Sequence, residues 1–309
     1  MKKALIVFVG IIAVFAAKAQ TIYSKAYGDP SDEPLIFLHG GPGYNAVGFE
    51  ATTAQELSKN GFYVISYDRR GEGRSKDENA AFTFKESFDD INSIYEEFNL
   101  KSATLIGHSF GGVLATLYAE KYPNKTKSVI LVSAPLSMQE TLSTILKSSK
   151  SIYISNKDSV NLNYITMLER LDKSTIEYSS YCFRHAMQNG FYYPKAPTEE
   201  ALAIYKKFQT DPLLIKYSSQ MTYEAPKGFW ENESYTTLDL YENLKELLKN
   251  GTPVFGLYGT EDGLFSASQI KNIENLIGED HLKYISNCSH NLFIDQQTTF
   301  INALKEWAE

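Results

Sequence analysis

The stretch that most constrains this chain is Thr104–Gly112, reading T-L-I-G-H-S-F-G-G. An apolar run ends at Gly107. Ser109 stands between two glycines in a G-x-S-x-G frame, and Gly112 and Val113 lead into a helical pattern. A strand that turns at once into a helix forces its middle residue into strained backbone geometry. A Cβ at either flanking position would clash across the turn. The serine hydroxyl is thereby held up on a point. The pentapeptide alone is common, and its weight comes from what the rest of the chain places around it.

Apolar runs that read as strands recur along the chain. They are Leu35–Leu38, Phe62–Tyr67, Ala103–Ile106, Ser128–Val132, Pro253–Tyr258 and His281–Ser286, with Thr21–Tyr27 as a first strand turned by Gly28-Asp29-Pro30. Helical spacing falls between them. It is expected over Thr53–Asn60, over Phe84–Phe98 with Phe88, Ile91, Ile94, Tyr95 and Phe98 on one side, and from the serine turn to Tyr122, where Pro123 stops it. It returns over Thr237–Lys249, Ser266–Leu276 and Gln297–Glu309. Continuous rather than alternating apolar strands, interleaved with helices, predict an α/β domain whose parallel sheet is covered on both faces. The rhythm breaks after Pro135. Residues 136–235 show helical and aromatic-rich patterns without a clear apolar strand, so they read as an insertion into a core of residues 20–135 and 236–309. An insertion there would lie over the C-terminal edge of the sheet, where open α/β sheets bind ligands.

The first nineteen residues read as a signal peptide. Lys2 and Lys3 precede an uncharged apolar run, Ala4–Ala17, and Ala17-Lys18-Ala19 is a small-x-small cleavage site. The run is short of the ~20 residues of a spanning helix, so an exported protein, periplasmic or secreted, is expected, with no stable membrane insertion once the signal is removed. Removing Lys2, Lys3 and Lys18 takes the 30 basic side chains to 27 against 37 acidic ones, a net charge of −10. Such a surface disfavours nucleic acid and anionic membranes. The expected partner is a small molecule or short peptide, with oligomeric state left open. Cys182 and Cys288 do not make a disulfide framework, and unreactive buried thiols are the default.

A serine hydroxyl needs a base within hydrogen-bond reach, and the base needs an orienting carboxylate. With the serine on a middle strand, both must come from loops after later strands, in the chain order serine, acid, histidine. Of the five histidines, His39 and His108 fail that order, His185 lies in the insertion, and His281 begins a strand at the wrong edge. His290 follows the last strand and is the expected base. Asp262, in Gly259-Thr260-Glu261-Asp262, is the expected acid, with Glu261 the runner-up. An oxyanion needs two N–H donors. Phe110, directly after the serine, and Gly41, in the loop His39-Gly40-Gly41-Pro42-Gly43, are the expected pair. No cofactor and no metal enter this chemistry.

These residues resemble the α/β-hydrolase superfamily over essentially the whole mature chain. The nearest branch is the proline iminopeptidase-like serine peptidases. The resemblance is carried by HGGPG at His39–Gly43, DRRGEGRS at Asp68–Ser75, GHSFG at Gly107–Gly111, GTED at Gly259–Asp262, and His290. It implies an eight-stranded, mostly parallel sheet with a helical cap at 136–235, a metal-free acyl-enzyme mechanism, and structural roles for Asp68 and Arg70 in bracing the loop near the site. Family aminopeptidases hold the substrate's free α-amine with cap carboxylates, often in W-x-x-W-E. Here Tyr178-Ser179-Ser180-Tyr181-Cys182 stands in that place, with Cys182 at the glutamate position. Tyr178 and Tyr181 are therefore candidate substrate contacts, with Glu177 and Glu224, and also Glu169, as substitute carboxylates. The resemblance implies an aminopeptidase acting on short peptides. The alternatives are a carboxylesterase or carbon–carbon bond hydrolase on the same three residues and, more remotely, a binding protein that has lost catalysis.

Overall fold

The sheet has seven strands in the computed structural model, which describes residues 22–308. The expected signal peptide lies outside the described residues. The strands are β1 (Ser24–Tyr27), β2 (Glu33–Leu38), β3 (Phe62–Tyr67), β4 (Ala103–His108), β5 (Thr126–Val132), β6 (Val254–Gly259) and β7 (Leu282–Ile285). Their spatial order is β1-β3-β2-β4-β5-β6-β7. Every pairing is parallel except β1 with β3. The resemblance implied eight strands, but among the described residues there are seven, the number that the apolar runs themselves mark out. Every residue of β3, β4 and β6 is buried, as continuous apolar strands between two helical layers require.

The strand order reverses at β2. The chain steps outward from β2 to β3, then returns to place β4 on the other side of β2. At such a reversal the loops after the two strands diverge and leave a crevice at their C-terminal ends. Register makes the ends level: Leu38 of β2 pairs with Gly107 of β4, His108 with Val132 of β5, and Gly259 of β6 with Ile285 of β7. The loops carrying His39–Gly43, Ser109, Asp262 and His290 therefore leave the sheet along one edge.

Helices cover the sheet. After β2, two short helices, α1 (Val47–Phe49) and α2 (Gln55–Ser58), are joined by a π-helical turn at Glu50–Ala54. This helical stretch begins earlier than the spacing of Thr53–Asn60 predicted. Asn45 accepts a hydrogen bond from the Val47 N–H, 3.1 Å. α3 (Phe84–Glu97) starts at Thr83, whose side chain accepts from the Glu86 N–H, and buries Phe88, Ile91, Ile94 and Tyr95. α4 (Phe110–Lys121) follows Ser109 directly, and Pro123 ends it.

Between β5 and β6 come α5 (Met138–Ser155), α6 (Ser159–Leu168), α7 (Ile176–Gln188), α8 (Glu199–Thr210), α9 (Pro212–Tyr217) and α10 (Glu224–Glu233). The chain leaves and returns through a narrow neck, where Met138 N–H donates to Leu238 and Leu240 N–H to Leu136. Beyond it lie α11 (Tyr241–Lys249), α12 (Ala267–Ile277) with a Ser266/Gln269 capping box, α13 (Leu292–Asp295) and α14 (Gln297–Ala308). No helix among the described residues is long and apolar enough to cross a membrane.

Candidate active site

Ser109 takes φ 52° and ψ −123°, a conformation that L residues rarely adopt. It is held there from both sides. Its N–H donates to Val132 of the neighbouring strand, 2.9 Å, and its carbonyl accepts from Gly112, 2.8 Å. The flanking glycines are needed for space: a Cβ on Gly107 would run into Gly112, and one on Gly111 would run into the carbonyls of Leu38 and His39. The serine side chain remains partly accessible while its neighbours are buried.

The histidine and the acid meet. His290 Nδ1 lies 2.8 Å from Asp262 Oδ2, with both residues buried. Asp262 Oδ1 accepts from the Leu264 N–H, 3.0 Å, which fixes the carboxylate plane. The Asp262 contact gives Nδ1 the proton and leaves Nε2 as the acceptor. Three rings surround the imidazole: Tyr192 edge-on with centroids 5.0 Å apart, Phe265 stacked at 6.3 Å, and His108 at 5.0 Å. His108 precedes Ser109, so this last contact brings the serine turn against the histidine loop.

The two histidines that chain order rules out as the base are scaffolds. His108 Nε2 donates to the carbonyl of His290, 3.0 Å. Burial, then the nearby His290, lowers its pKa to about 3, so it is neutral. His39 Nε2 accepts from the Arg69 N–H, 3.1 Å, so its Nδ1 carries the proton and donates to Gly40, 2.8 Å. His185 sits in α7, hydrogen-bonded to Tyr153, and His281 packs on Phe255.

The glycine loop lies directly beside the serine. A Cβ built on Gly40 would stand 3.2 Å from that of Ser109, and Gly41 has φ +118°. Phe110 opens α4, where backbone N–H groups lack intrahelical acceptors. Arg69 clamps the loop. Its guanidinium donates to the carbonyls of His39 and Gly40 and pairs with Glu72 at 2.9 Å, while Glu72 accepts from the Gly43 N–H at 3.0 Å. Asp68 takes the expected bracing part, accepting from the N–H groups of Ala46 and Arg74. Arg70 does not brace this loop. It pairs with Asp90 at 2.6 Å and Asp77 at 3.2 Å, tying the β3 loop to α3. The neighbouring Arg69 and Glu72 do the work assigned to Arg70, a pair that the motif reading passed over.

The four candidate substrate contacts scatter. Glu177 and Tyr181 face solvent on α7, and Tyr178 is buried in the core beside Cys182. Glu224 is exposed at the start of α10, and its carboxylate hydrogen-bonds Thr222 Oγ1. Thr222 N–H in turn donates to Gly43, 2.9 Å, so Glu224 is the one of the four carried next to the glycine loop. Glu169 pairs with Lys150 at the surface. Glu261, the alternative acid, accepts from the Lys195 N–H at 2.6 Å instead. Both cysteines are free and buried.

A model of the alpha/beta hydrolase fold matches residues 33–297. The chain belongs to the alpha/beta hydrolase family. This hydrolase is 27% identical over 300 residues to the proline iminopeptidase of Lactobacillus helveticus, covering 93% of this chain and 94% of that one. A shorter likeness, 34% over 122 residues, covers 39% of this chain and 44% of a bifunctional esterase/perhydrolase of Acinetobacter calcoaceticus. Among solved structures, the proline iminopeptidase of Mycobacterium smegmatis aligns with a TM-score of 0.64 at 17% identity, covering 93% of each chain. The likeness to the proline iminopeptidase branch therefore spans nearly the whole hydrolase.

Proposed function

We propose that this hydrolase is an exported serine peptidase that removes residues from short peptides with a free N-terminus, through an acyl-enzyme on Ser109. The observation that carries the proposal is the 2.8 Å contact of His290 with Asp262 on loops that share the sheet edge with the strained Ser109 turn. Ser109 Oγ attacks the scissile carbonyl. His290 Nε2 takes its proton and returns it to the leaving amine, while Asp262 holds the tautomer and stabilises the imidazolium. The N–H groups of Gly41 and Phe110 receive the oxyanion. Water, activated by His290, then releases the acid. The helical segment 136–235 acts as a cap over the site. Glu224, whose pKa is lowered by its Thr222 hydrogen bond, offers a carboxylate to the substrate's ammonium group. Export rests on residues 1–19, and N-terminal sequencing of protein recovered outside the cytoplasm tests it: a chain beginning at Gln20 is expected.

A carboxylesterase is the second reading. It is favoured by the burial of Cys182, which stands at the glutamate position with its thiol pushed up to about 12 by burial and so carries no charge. Proline, alanine and phenylalanine anilides assayed beside short p-nitrophenyl esters separate the two. Ester turnover without turnover of any free-amine anilide would sink the peptidase. Labelling of the wild type by a fluorophosphonate, with none in Ser109→Ala, separates both from a binding protein.

A further inference from the structure

Directly beside His290 lies a second buried carboxylate, held by the neighbouring serine. Asp295, the last residue of α13, is buried. Its Oδ2 accepts from Ser289 N–H at 2.7 Å and from Ser289 Oγ at 2.6 Å, and its Oδ1 accepts from Tyr205 OH at 2.6 Å. Ser289 immediately precedes the base. Tyr205 lies on α8, in the segment between β5 and β6. One buried carboxylate thus joins the base's own turn to a helix of the proposed cap.

We propose that Asp295 is a positioning residue for His290, and that Tyr205 makes the position of the base depend on the seating of α8. This rests on His290 being the base. The backbone around His290 is pinned on three sides. Cys288 carbonyl accepts from Glu261 N–H at 2.9 Å, Ser289 N–H is held by Asp295, and His290 carbonyl accepts from His108. Of these three anchors, Asp295 is the charged one, and charge-assisted hydrogen bonds are the short, strong ones. Burying a carboxylate is unfavourable unless its oxygens are satisfied, and here three donors converge on it. The chain could have held Ser289 with an uncharged group. A buried anion bonded to the residue next to the base also favours the imidazolium that the reaction generates. The other ionisable groups near the imidazole and this carboxylate are Asp262, Glu261, Cys288, Tyr192, Tyr205 and His108. Asp295 is the one carboxylate of this set that bonds to the residue preceding the base; the Cys288 thiol donates to the Ser289 carbonyl at 3.6 Å.

The test is Asp295→Asn beside Tyr205→Phe and Ser289→Ala in the full chain. It is read by steady-state kinetics on whichever acyl substrate the wild type turns over, and by NMR titration of the His290 imidazole assigned with His290→Gln. Asp295→Asn should lower kcat about tenfold to a hundredfold, the cost of slight misplacement of a reacting group, with KM within about threefold. The imidazole titration, and with it the acid limb of kcat/KM, should move to lower pH. Tyr205→Phe and Ser289→Ala should fall between wild type and Asp295→Asn. A folded Asp295→Asn with unchanged imidazole titration and kcat within twofold overturns the proposal. Should that variant not fold, wild-type kcat and titration in both of the milder variants overturn it instead. The NMR titration needs no turnover. A wild type inactive on every acyl substrate therefore refutes the proposed function separately, while the role of Asp295 is still read.

Discussion

At the scale of single residues, the site is a set of buried polar groups held by specific partners. Asp262→Asn keeps the shape of the carboxylate but presents an amide to His290 Nδ1, favouring the wrong tautomer. A fall in kcat of about 10³–10⁴ is expected, with fluorophosphonate labelling slowed in step. Turnover within tenfold of wild type would mean that the acid is elsewhere. Arg69 is a different case because it touches the loop and not the reacting atoms. Its pair with Glu72 is almost wholly buried. Burial pushes the Glu72 carboxyl upward and Arg69 opposes that push. Arg69→Met would leave Glu72 without its cation and two loop carbonyls without donors. Urea unfolding should show a loss of about 3–5 kcal/mol. A loss below about 1 kcal/mol would show that the clamp contributes little.

At the scale of elements, the β4–α4 turn is packed hard against its neighbours. Its glycines are explained by neighbours rather than by flexibility. Gly111→Ala drives a methyl into the end of β2, so it should destabilise by about 1–3 kcal/mol and reduce the reactivity of Ser109. Gly48→Ala is the control. Its added carbon would meet only the tip of Phe208 at 3.9 Å, in a helix, and a gain of about 0.5–1 kcal/mol is expected. Equal effects at the two sites would remove the steric explanation. This turn was legible in the sequence because glycine spacing reports a local constraint, and β2 to β6 were legible because burial on both faces leaves uninterrupted apolar runs. Asp262 and His290 could be placed because strand ends are fixed by those runs. What stayed hidden depends on contacts distant in sequence. The choice between Arg69 and Arg70 is decided by which of two adjacent side chains points back over β2, and no local pattern records that. Asp295 lies five residues past His290 but draws its meaning from Tyr205, 90 residues away. The early start of the helical stretch at Val47 is set by Asn45, and the Thr53–Asn60 spacing gave no sign of it.

At the scale of the whole molecule, two sets of buried ionisable groups act on stability in opposite directions. Asp90 is raised to about 6, chiefly by burial and against the pull of Arg70, while Glu72 and Asp295 are raised by the same cause. In the unfolded chain such carboxyls release their protons near pH 4. Between that value and about 6 the folded protein still holds the Asp90 proton. The stability it contributes is complete below the unfolded value and is lost as pH rises through about 6. The loss for Asp90 is about 3 kcal/mol. His39 and His108 are buried neutral, with pKa values lowered first by burial. Their contribution is complete above the unfolded value near 6.5 and is lost as pH falls below it, because only the unfolded chain can then take up the protons. Both windows lie below about pH 6.5 and overlap between about pH 4 and 6, so the two sets oppose each other there, and the unfolding free energy should level off above about pH 6.5. Urea unfolding across pH 4.5–8 checks this, and Asp90→Asn removes one of the opposed contributions. Between about pH 4.5 and 6 the unfolding free energy of the variant should rise more steeply with pH than that of wild type, because the opposing Asp90 contribution is gone. An unchanged slope in Asp90→Asn would place the penalty on Glu72 or Asp295. The latter carboxylate sits beside the proposed base, so stability and turnover would then share one titration.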